Sequence, residues 1–154
     1  MKKIVITGGL GYIGTELCKI YSGHTWNDRI TVIDNRFISE RVNQLRNWNI
    51  DFIQGDILDK NLIKKYCEEA DIVHHLAGIT DVPRTKSEVS ESNNNKIKEV
   101  GEIGTQNILD VINDECKIIF PSTHVVYEGI NEVKTDIKES ENKKPVLAYS
   151  LSKA

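Results

Sequence analysis

The sequence has few cysteines, and they lie far apart. Its 154 residues contain three of them, Cys18, Cys67 and Cys116, and 49 positions separate each from the next. An odd number of cysteines without CxxC spacing predicts neither a disulfide framework nor a zinc site. We interpret them as free thiols of a protein in a reducing cytoplasm.

Long hydrophobic runs are also missing. No apolar stretch approaches the length that a helix needs to cross a bilayer. The apolar start ends at Thr7-Gly8-Gly9, well short of the hydrophobic region of a signal peptide. We therefore expect a soluble, cytoplasmic protein without a membrane partner.

Charge of one sign is not in excess, and Lys and Arg form no cluster. Lys and Arg number 20 and Asp and Glu 23, which gives a net charge of -3. Binding to bulk nucleic acid depends on basic surfaces that neutralise phosphates, so we expect no nucleic-acid partner. Apolar residues make up 39% of the chain, which is enough for a core and excludes wholesale disorder.

Short β-branched runs alternate along the chain with longer helical patterns. The predicted strands are 3–7, 30–34, 50–54, 71–76 and 117–120. Predicted helices cover 12–21, 59–69 and an interrupted region 87–113, and another begins near Ala148 after a loop over 122–145. This alternation predicts an α/β fold with a parallel sheet covered on both faces. Without repeats or linkers, residues 1–154 are interpreted as one domain.

Glycines follow the first predicted strand at a characteristic spacing. Gly8, Gly11 and Gly14 form a variant of the dinucleotide fingerprint between a strand and a helix. The first would allow a tight turn, the second the approach of a pyrophosphate, and the third close packing of the helix. Free N–H groups at the helix N-terminus would face the anion.

An acidic residue ends the second predicted strand. Asp34 follows Gly14 by 20 residues, where a carboxylate accepts hydrogen bonds from an adenosine ribose and repels a 2'-phosphate. The residue favours NAD over NADP as the cofactor. Arg36, which lies nearby, keeps NADP as the alternative.

Six short motifs occur in the order of a known family. They are Thr7 to Gly14, Asp34-Asn35, Gly55-Asp56-Ile57, His75 to Gly78, Gly104-Thr105-x-Asn107 and Tyr149 to Lys153. The chain thereby resembles the extended short-chain dehydrogenase/reductases, and within them the NAD-dependent sugar-nucleotide epimerase/dehydratase family. The resemblance implies a Rossmann-type doubly wound sheet of about five strands in the order 3-2-1-4-5, truncated before the sixth strand and the substrate lobe.

The resemblance also implies a set of cofactor contacts. Asp56 and Ile57 would contact adenine, and the segment after the fourth strand would lie along the cofactor. Beyond the three glycines and Asp34, the implied contacts are Tyr12, Ile13, Asn35, Asp56, Ile57, Leu76, Ala77 and Gly78.

A tyrosine and a lysine near the end of the sequence are candidates for acid–base chemistry. Tyr149 and Lys153 are four residues apart and would share a helix face. An ammonium beside a phenol favours the phenolate, which can act as a general base and acid. By resemblance, Tyr149 would take a proton from a sugar hydroxyl as hydride leaves for NAD. Lys153 would hold the nicotinamide ribose, and Thr123 would hydrogen-bond the reacting oxygen.

Two departures from the family pattern narrow the interpretation. The 4,6-dehydratases carry Asp-Glu directly after the threonine, whereas this chain has His124 and Val125, which favours an epimerase or oxidoreductase over a dehydratase. The asparagine that many members have three residues before Gly104 is Gly101 here, which leaves the detail of the pocket open.

The segment after the fourth strand should face the substrate. Thr80 and Arg84 are candidate substrate contacts together with Thr123; Arg84 could contact a substrate phosphate or carboxylate, but the interpretation as a surface arginine is favoured. The neighbouring His74 and His75 predict no metal site, because adjacent strand residues point to opposite faces.

The sequence thus predicts the NAD-binding part of a sugar-nucleotide epimerase. The substrate of the full-length protein would be a nucleoside diphosphate sugar, and the protein would be a homodimer. Residues 1–154 alone should have little turnover, because the substrate lobe is missing. A sugar-nucleotide reductase and a non-catalytic dinucleotide-binding module are the alternatives.

Overall fold

A computed structural model describes residues 1–24, 27–80, 91–130 and 134–154. The strands are β1 (Lys3–Thr7), β2 (Arg29–Asp34), β3 (Asp51–Gln54), β4 (Ile72–His75) and β5 (Lys117–Ile119). The helices are α1 (Tyr12–Ser22), α2 (Ser39–Asn47), α3 (Lys60–Cys67), α4 (Glu91–Lys98), α5 (Gly104–Leu109) and α6 (Ala148–Leu151). A π-helical turn (Glu99–Ile103) joins α4 to α5, and a 3-10 turn (His124–Tyr127) follows β5.

The five strands form one parallel sheet in the order β3-β2-β1-β4-β5, which confirms the predicted topology. The central strand β1 pairs on both sides, with Thr7 opposite Ile33 of β2 and His75 of β4. The order of the strands reverses between β1 and β4. In open parallel sheets, ligands bind in the crevice beyond the carboxyl ends of the strands at such a reversal.

Side chains of β1 alternate between two apolar layers. Ile4 and Ile6 pack with residues of α1 and α2 on one face of the sheet. Val5 packs with residues of α3 and α5 on the other face. Both faces are therefore covered by helices, as the near-continuous apolar strands predict.

The structure adds two elements that the sequence pattern did not indicate. Helix α2 has only Val42 and Leu45 buried, so its apolar period is too sparse to stand out. The 3-10 turn lies inside the segment predicted as loop, and its threonine cap organises it locally. The predicted helical region over 87–113 is interrupted, as expected, by the π-helical turn; residues 87–90 of it lie outside the described part of the chain.

Among the helices in the described ranges, none combines the length and the apolar character that crossing a bilayer would demand.

Candidate dinucleotide and acid–base site

Gly8 makes the turn from β1 toward the crevice. Its φ of +69° lies in the left-handed region that favours glycine. A Cβ at this position would lie 2.6 Å from the backbone nitrogen of Ala77. The turn is thus pressed against the segment that follows β4, and no larger residue fits.

The start of α1 offers backbone donors to an anion. Gly11 is its N-cap and has no side chain that could accept from the N–H groups of the first turn. A Cβ on Gly14 would lie 2.6 Å from the Cα of Gly9, so the helix packs directly on the loop. Tyr12 and Ile13 in the first turn are 82% and 63% exposed. A glycine loop without bulky side chains, followed by the N–H groups of the first turn of α1, is suited to bind a pyrophosphate.

Asp34 lies at the carboxyl end of β2, next to this loop. Its side chain is 3% exposed. Oδ2 accepts a hydrogen bond from the Leu10 nitrogen at 3.0 Å, and Oδ1 accepts one from the Arg36 nitrogen at 3.0 Å. The guanidinium of Arg36 binds the same carboxylate, and this hydrogen bond raises the pKa of Arg36. The Asp34 carboxylate could accept hydrogen bonds from a ribose, but the Arg36 guanidinium already binds it.

The loop after β3 is fixed by polar contacts from two sides. Asn35 donates from Nδ2 to Asp56 Oδ2 at 3.1 Å. On the other side, Nδ2 of Asn107 in α5 donates to the carbonyl of Ile57 at 3.0 Å. The structure therefore brings Asp34, Asn35, Asp56 and Ile57 to one end of the sheet.

His75 connects β1, β4 and the helical segment after β4. Its Nε2 lies 3.0 Å from Thr105 Oγ1, and that hydroxyl also hydrogen-bonds to the carbonyl of Gly101. Its Nδ1 lies 2.8 Å from Thr7 Oγ1, which in turn accepts from the Ala77 nitrogen. Because Thr105 donates its proton to Gly101, the imidazole carries its proton on Nε2 and accepts on Nδ1.

The surroundings of the two histidines differ on the two faces of the sheet. Burial, and secondarily the charge of Lys153, lowers the pKa of His75 to about 4. His74 lies 2.7 Å from the Tyr21 hydroxyl of α1, on the opposite face. The two side chains thus lie on opposite faces of the sheet, as adjacent strand residues do. Across the described ranges, no group of His, Cys, Asp and Glu is arranged to hold a metal ion.

Lys153 follows α6 and reaches the segment after β4. Its Nζ lies 4.3 Å from the centre of the Phe120 ring and 3.6 Å from the position of a Cβ on Gly78. Burial lowers the pKa of Lys153. Ser122 holds the backbone by donating to the Lys153 carbonyl at 2.9 Å. Tyr149 lies within α6 and is half-buried.

The 3-10 turn that Thr123 caps is tied to the start of α6 by a glutamate. Thr123 caps the 3-10 turn by accepting from the Val125 nitrogen at 3.3 Å. At the end of that turn, Glu128 Oε1 accepts from the nitrogens of Val146 at 2.8 Å and Leu147 at 2.6 Å, and from the Ser150 hydroxyl. This ties the turn that carries Thr123 to the start of the helix that carries Tyr149.

Of the candidate substrate residues Thr80 and Arg84, the structure describes only the first. Thr80 is exposed after the cofactor segment. Arg84 lies outside the described residues.

Sequence reasoning missed three residues that shape the site. Arg41 donates from its guanidinium to the Leu10 carbonyl, and it escaped notice because α2 did. Phe120 supports Lys153, although its strand-end position gave no sign of that. Glu128 acts on residues 18 to 22 positions later, a separation without a sequence signal.

Comparison with known proteins gives relatives of several reaction types. The chain is 33% identical to a dTDP-D-glucose 4,6-dehydratase of Dictyostelium discoideum, covering 100% of this chain and 38% of that protein. It is 34% identical to a UDP-N-acetyl-alpha-D-glucosaminuronate decarboxylase of Bacillus cytotoxicus, covering 82% and 38%. A crystal structure of UDP-glucose 4-epimerase from Brucella ovis in complex with NAD superposes with a TM-score of 0.77 at 27% identity, covering 99% of this chain and 45% of that one.

These relatives are longer than the chain, which spans 38% of the two curated ones. The profile of the 3-beta hydroxysteroid dehydrogenase/isomerase family matches residues 5–154. The predicted resemblance to NAD-dependent epimerases and dehydratases of sugar nucleotides is thereby confirmed, and the chain belongs to the 3-beta hydroxysteroid dehydrogenase/isomerase family.

Proposed function

We propose that the chain is the NAD-binding part of a sugar-nucleotide epimerase that acts by transient hydride transfer. One observation carries the proposal: Gly8 and Lys153 approach the same short segment, at Ala77 and Gly78 respectively. The dinucleotide loop and the candidate acid–base lysine therefore border one crevice.

The cofactor would lie along the carboxyl ends of the strands. Its pyrophosphate would bind the N-terminus of α1, and its adenosine ribose would bind Asp34. Asp56 and Ile57 would border the adenine, and the segment from Leu76 to Gly78 the rest of the cofactor. The likeness to an epimerase crystallised with NAD supports this assignment.

Bound NAD would supply a reversible acceptor for hydride. Tyr149 would accept the proton of the sugar hydroxyl and return it, while Thr123 would hydrogen-bond the same oxygen. Lys153 would bind the nicotinamide ribose and stabilise the phenolate by its positive charge. Phe120 holds this ammonium at the crevice by a cation–π contact.

Epimerisation is favoured over dehydration by the residues that follow Thr123. Elimination of water requires an acid and a base there, and the family's dehydratases supply them as a carboxylate pair. His124 and Val125 supply no carboxylate. A dehydratase is among the relatives, so the reaction must be tested directly.

The partners of the full-length protein would be a nucleoside diphosphate sugar and a second copy of the chain. Exposed apolar side chains on the helical segment after β4 and on α6 support dimerisation through these elements: Ile103 at 53%, Leu109 at 47% and Leu151 at 43% exposure.

Binding of NAD is tested first, by isothermal titration calorimetry. We expect saturable binding that Gly8→Ala abolishes, because the new Cβ clashes with the Ala77 backbone. Gly23→Ala is the matched control, since its Cβ would approach only two carbonyl oxygens, at 3.5 and 3.8 Å. Equal binding by the two variants would contradict the assignment of the loop.

Turnover is tested on the protein as its gene encodes it. UDP-glucose and UDP-N-acetylglucosamine are incubated with enzyme and NAD, and the sugars are followed by proton NMR. We expect an epimer at equilibrium, and Tyr149→Phe should lower kcat by about 10²- to 10⁴-fold while NAD still binds. A 4-keto-6-deoxy product would instead identify a dehydratase.

A further inference from the structure

The hydrogen-bonding capacity of the Asp34 carboxylate is already used within the chain. Its Oδ1 accepts from the Arg36 backbone nitrogen at 3.0 Å and from Arg36 Nε at 3.1 Å. Its Oδ2 accepts from the Leu10 nitrogen at 3.0 Å and from an Arg36 terminal nitrogen at 3.2 Å. A ribose diol can bind this carboxylate only by displacing the guanidinium.

The guanidinium lies on the solvent side of this contact. The Arg36 side chain is 56% exposed, whereas that of Asp34 is 3% exposed. The two backbone N–H groups hold the carboxylate in place when the arginine turns away. Arg36 is therefore the partner that water can solvate when the contact opens, and Asp34 is the partner that the backbone holds.

A second arginine binds the same residue of the glycine loop. The Leu10 N–H binds Asp34, and the Leu10 carbonyl accepts a hydrogen bond from Arg41. One terminal nitrogen of Arg36 also lies 4.0 Å from the position of a Cβ on Gly11. One guanidinium thus binds the carboxylate and a second binds the loop residue next to it, and the formal charges of Asp34, Arg36 and Arg41 sum to +1.

An isolated carboxylate at this position excludes a 2'-phosphate by charge repulsion. Here that repulsion is offset, and guanidinium groups are well suited to bind phosphate through paired N–H donors. We propose that Arg36 is a movable counter-ion that lets the adenosine ribose site accept a 2'-phosphate, so that the chain binds NADP as well as NAD.

The proposal rests on the proposed dinucleotide function. It gives the Arg36 guanidinium a different position with each cofactor. With NAD, the ribose hydroxyls take the place of the guanidinium on Asp34. With NADP, the guanidinium turns from Asp34 to the phosphate, and the charge of Arg41 adds to the attraction.

The test measures dissociation constants of NAD and NADP by calorimetry at low ionic strength. For the wild-type chain we expect the two constants to agree within about tenfold. Arg36→Ala should weaken NADP by about tenfold or more and leave NAD equally tight or tighter, since the competitor for Asp34 is gone. Arg46→Ala, an exposed arginine in the last turn of α2, is the control and should keep the ratio of the two constants unchanged.

Two further measurements distinguish a loss of phosphate binding from a variant that fails to fold. Arg36→Gln keeps a polar, hydrogen-bonding side chain and removes its charge, and it should shift the ratio in the same direction. Adenosine 2',5'-bisphosphate and AMP isolate the ribose phosphate from the rest of the cofactor, and their affinities should respond to Arg36 as those of NADP and NAD do.

The outcomes separate the two proposals. If NAD binds, but NADP is rejected by more than about a hundredfold and neither Arg36 variant changes that ratio, the counter-ion role is overturned while the NAD site stands. If neither dinucleotide binds the folded wild-type chain, both proposals fail.

Discussion

The Nζ atom of Lys153 lies 4.3 Å from the centre of the Phe120 ring. The ring itself stacks on the imidazole of His75, with centroids 5.3 Å and planes 22° apart. Phe120 directly follows β5, and Lys153 follows α6. These contacts join the carboxyl ends of β4 and β5 to the helix that carries Tyr149.

The contact between Lys153 and Phe120 should be measurable as a coupling energy. In a double-mutant cycle with Phe120→Leu and Lys153→Met, we expect a coupling of about 0.5–1 kcal/mol in urea unfolding. The variant pair Phe120→Leu and Lys2→Met is the control, because Lys2 precedes β1 at the other end of the sheet. Additive effects in both cycles would contradict the cation–π contact.

Stability should fall between neutral and mildly acidic pH because of His75. Its pKa is about 4 in the folded chain and 6.5 when unperturbed, so the unfolded state binds the proton first as pH falls. The contribution is fully present above pH 6.5 and is lost between pH 6.5 and 4, with a limit of about 3 kcal/mol.

His75→Gln should flatten this part of the pH profile of the free energy of unfolding. Carboxylates that titrate in the same range contribute to both proteins and cancel in the difference. His124→Gln is the control, since His124 is exposed. A slope unchanged by His75→Gln would show that the imidazole does not resist protonation.

Glu128→Ala should loosen the start of α6. It removes one acceptor from two backbone N–H groups and the Ser150 hydroxyl. Hydrogen bonds to a charged group and helix caps are each worth about 1–2 kcal/mol. We expect a loss of that order and faster hydrogen exchange at Val146 and Leu147. Glu128→Gln, which keeps an acceptor, should restore part of the protection, and the exposed Glu139→Ala should change neither quantity.

Gly101→Ala should destabilise the chain, although the family's usual residue at this position is larger. A Cβ here would lie 2.4 Å from the Cβ of Ser152, so the π-helical turn and the end of α6 would have to separate. Overpacking of this kind costs about 1–3 kcal/mol. Adding Ser152→Gly removes the clashing atom. We expect the double variant to be at least as stable in thermal unfolding as Gly101→Ala alone; a strictly additive loss would locate the strain elsewhere.

The five strands and the glycine loop were predictable because their signals are local, whereas the strand order followed from the resemblance to the family. β-Branched runs predicted the five strands, and Gly8 is a glycine because its φ and its contact with Ala77 leave no alternative. Helix α2 was missed because seven of its nine residues are not buried and carry no apolar period.

Contacts between segments that are distant in sequence could not be predicted from local sequence patterns. Asp34 and Arg36 were recognised as neighbours in sequence, yet nothing in their spacing indicates that the guanidinium closes over the carboxylate. The bridge from Glu128 to α6 likewise depends on how a loop folds back. Tyr149 and Lys153 were identified by their spacing, and their chemical roles remain predictions.

The central position of β1 also determines the order in which the two halves of the crevice can form during synthesis. Its pairing with β2 joins Lys3 to Arg29, whereas its pairing with β4 joins Ile4 to Ile72. Because synthesis starts at the N-terminus, β1, β2 and β3 with their apolar layer leave the ribosome before β4 has been made. The adenosine half of the crevice, with Gly8 and Asp34, can therefore assemble during synthesis. The half that holds Lys153 cannot form until residue 153 has been made.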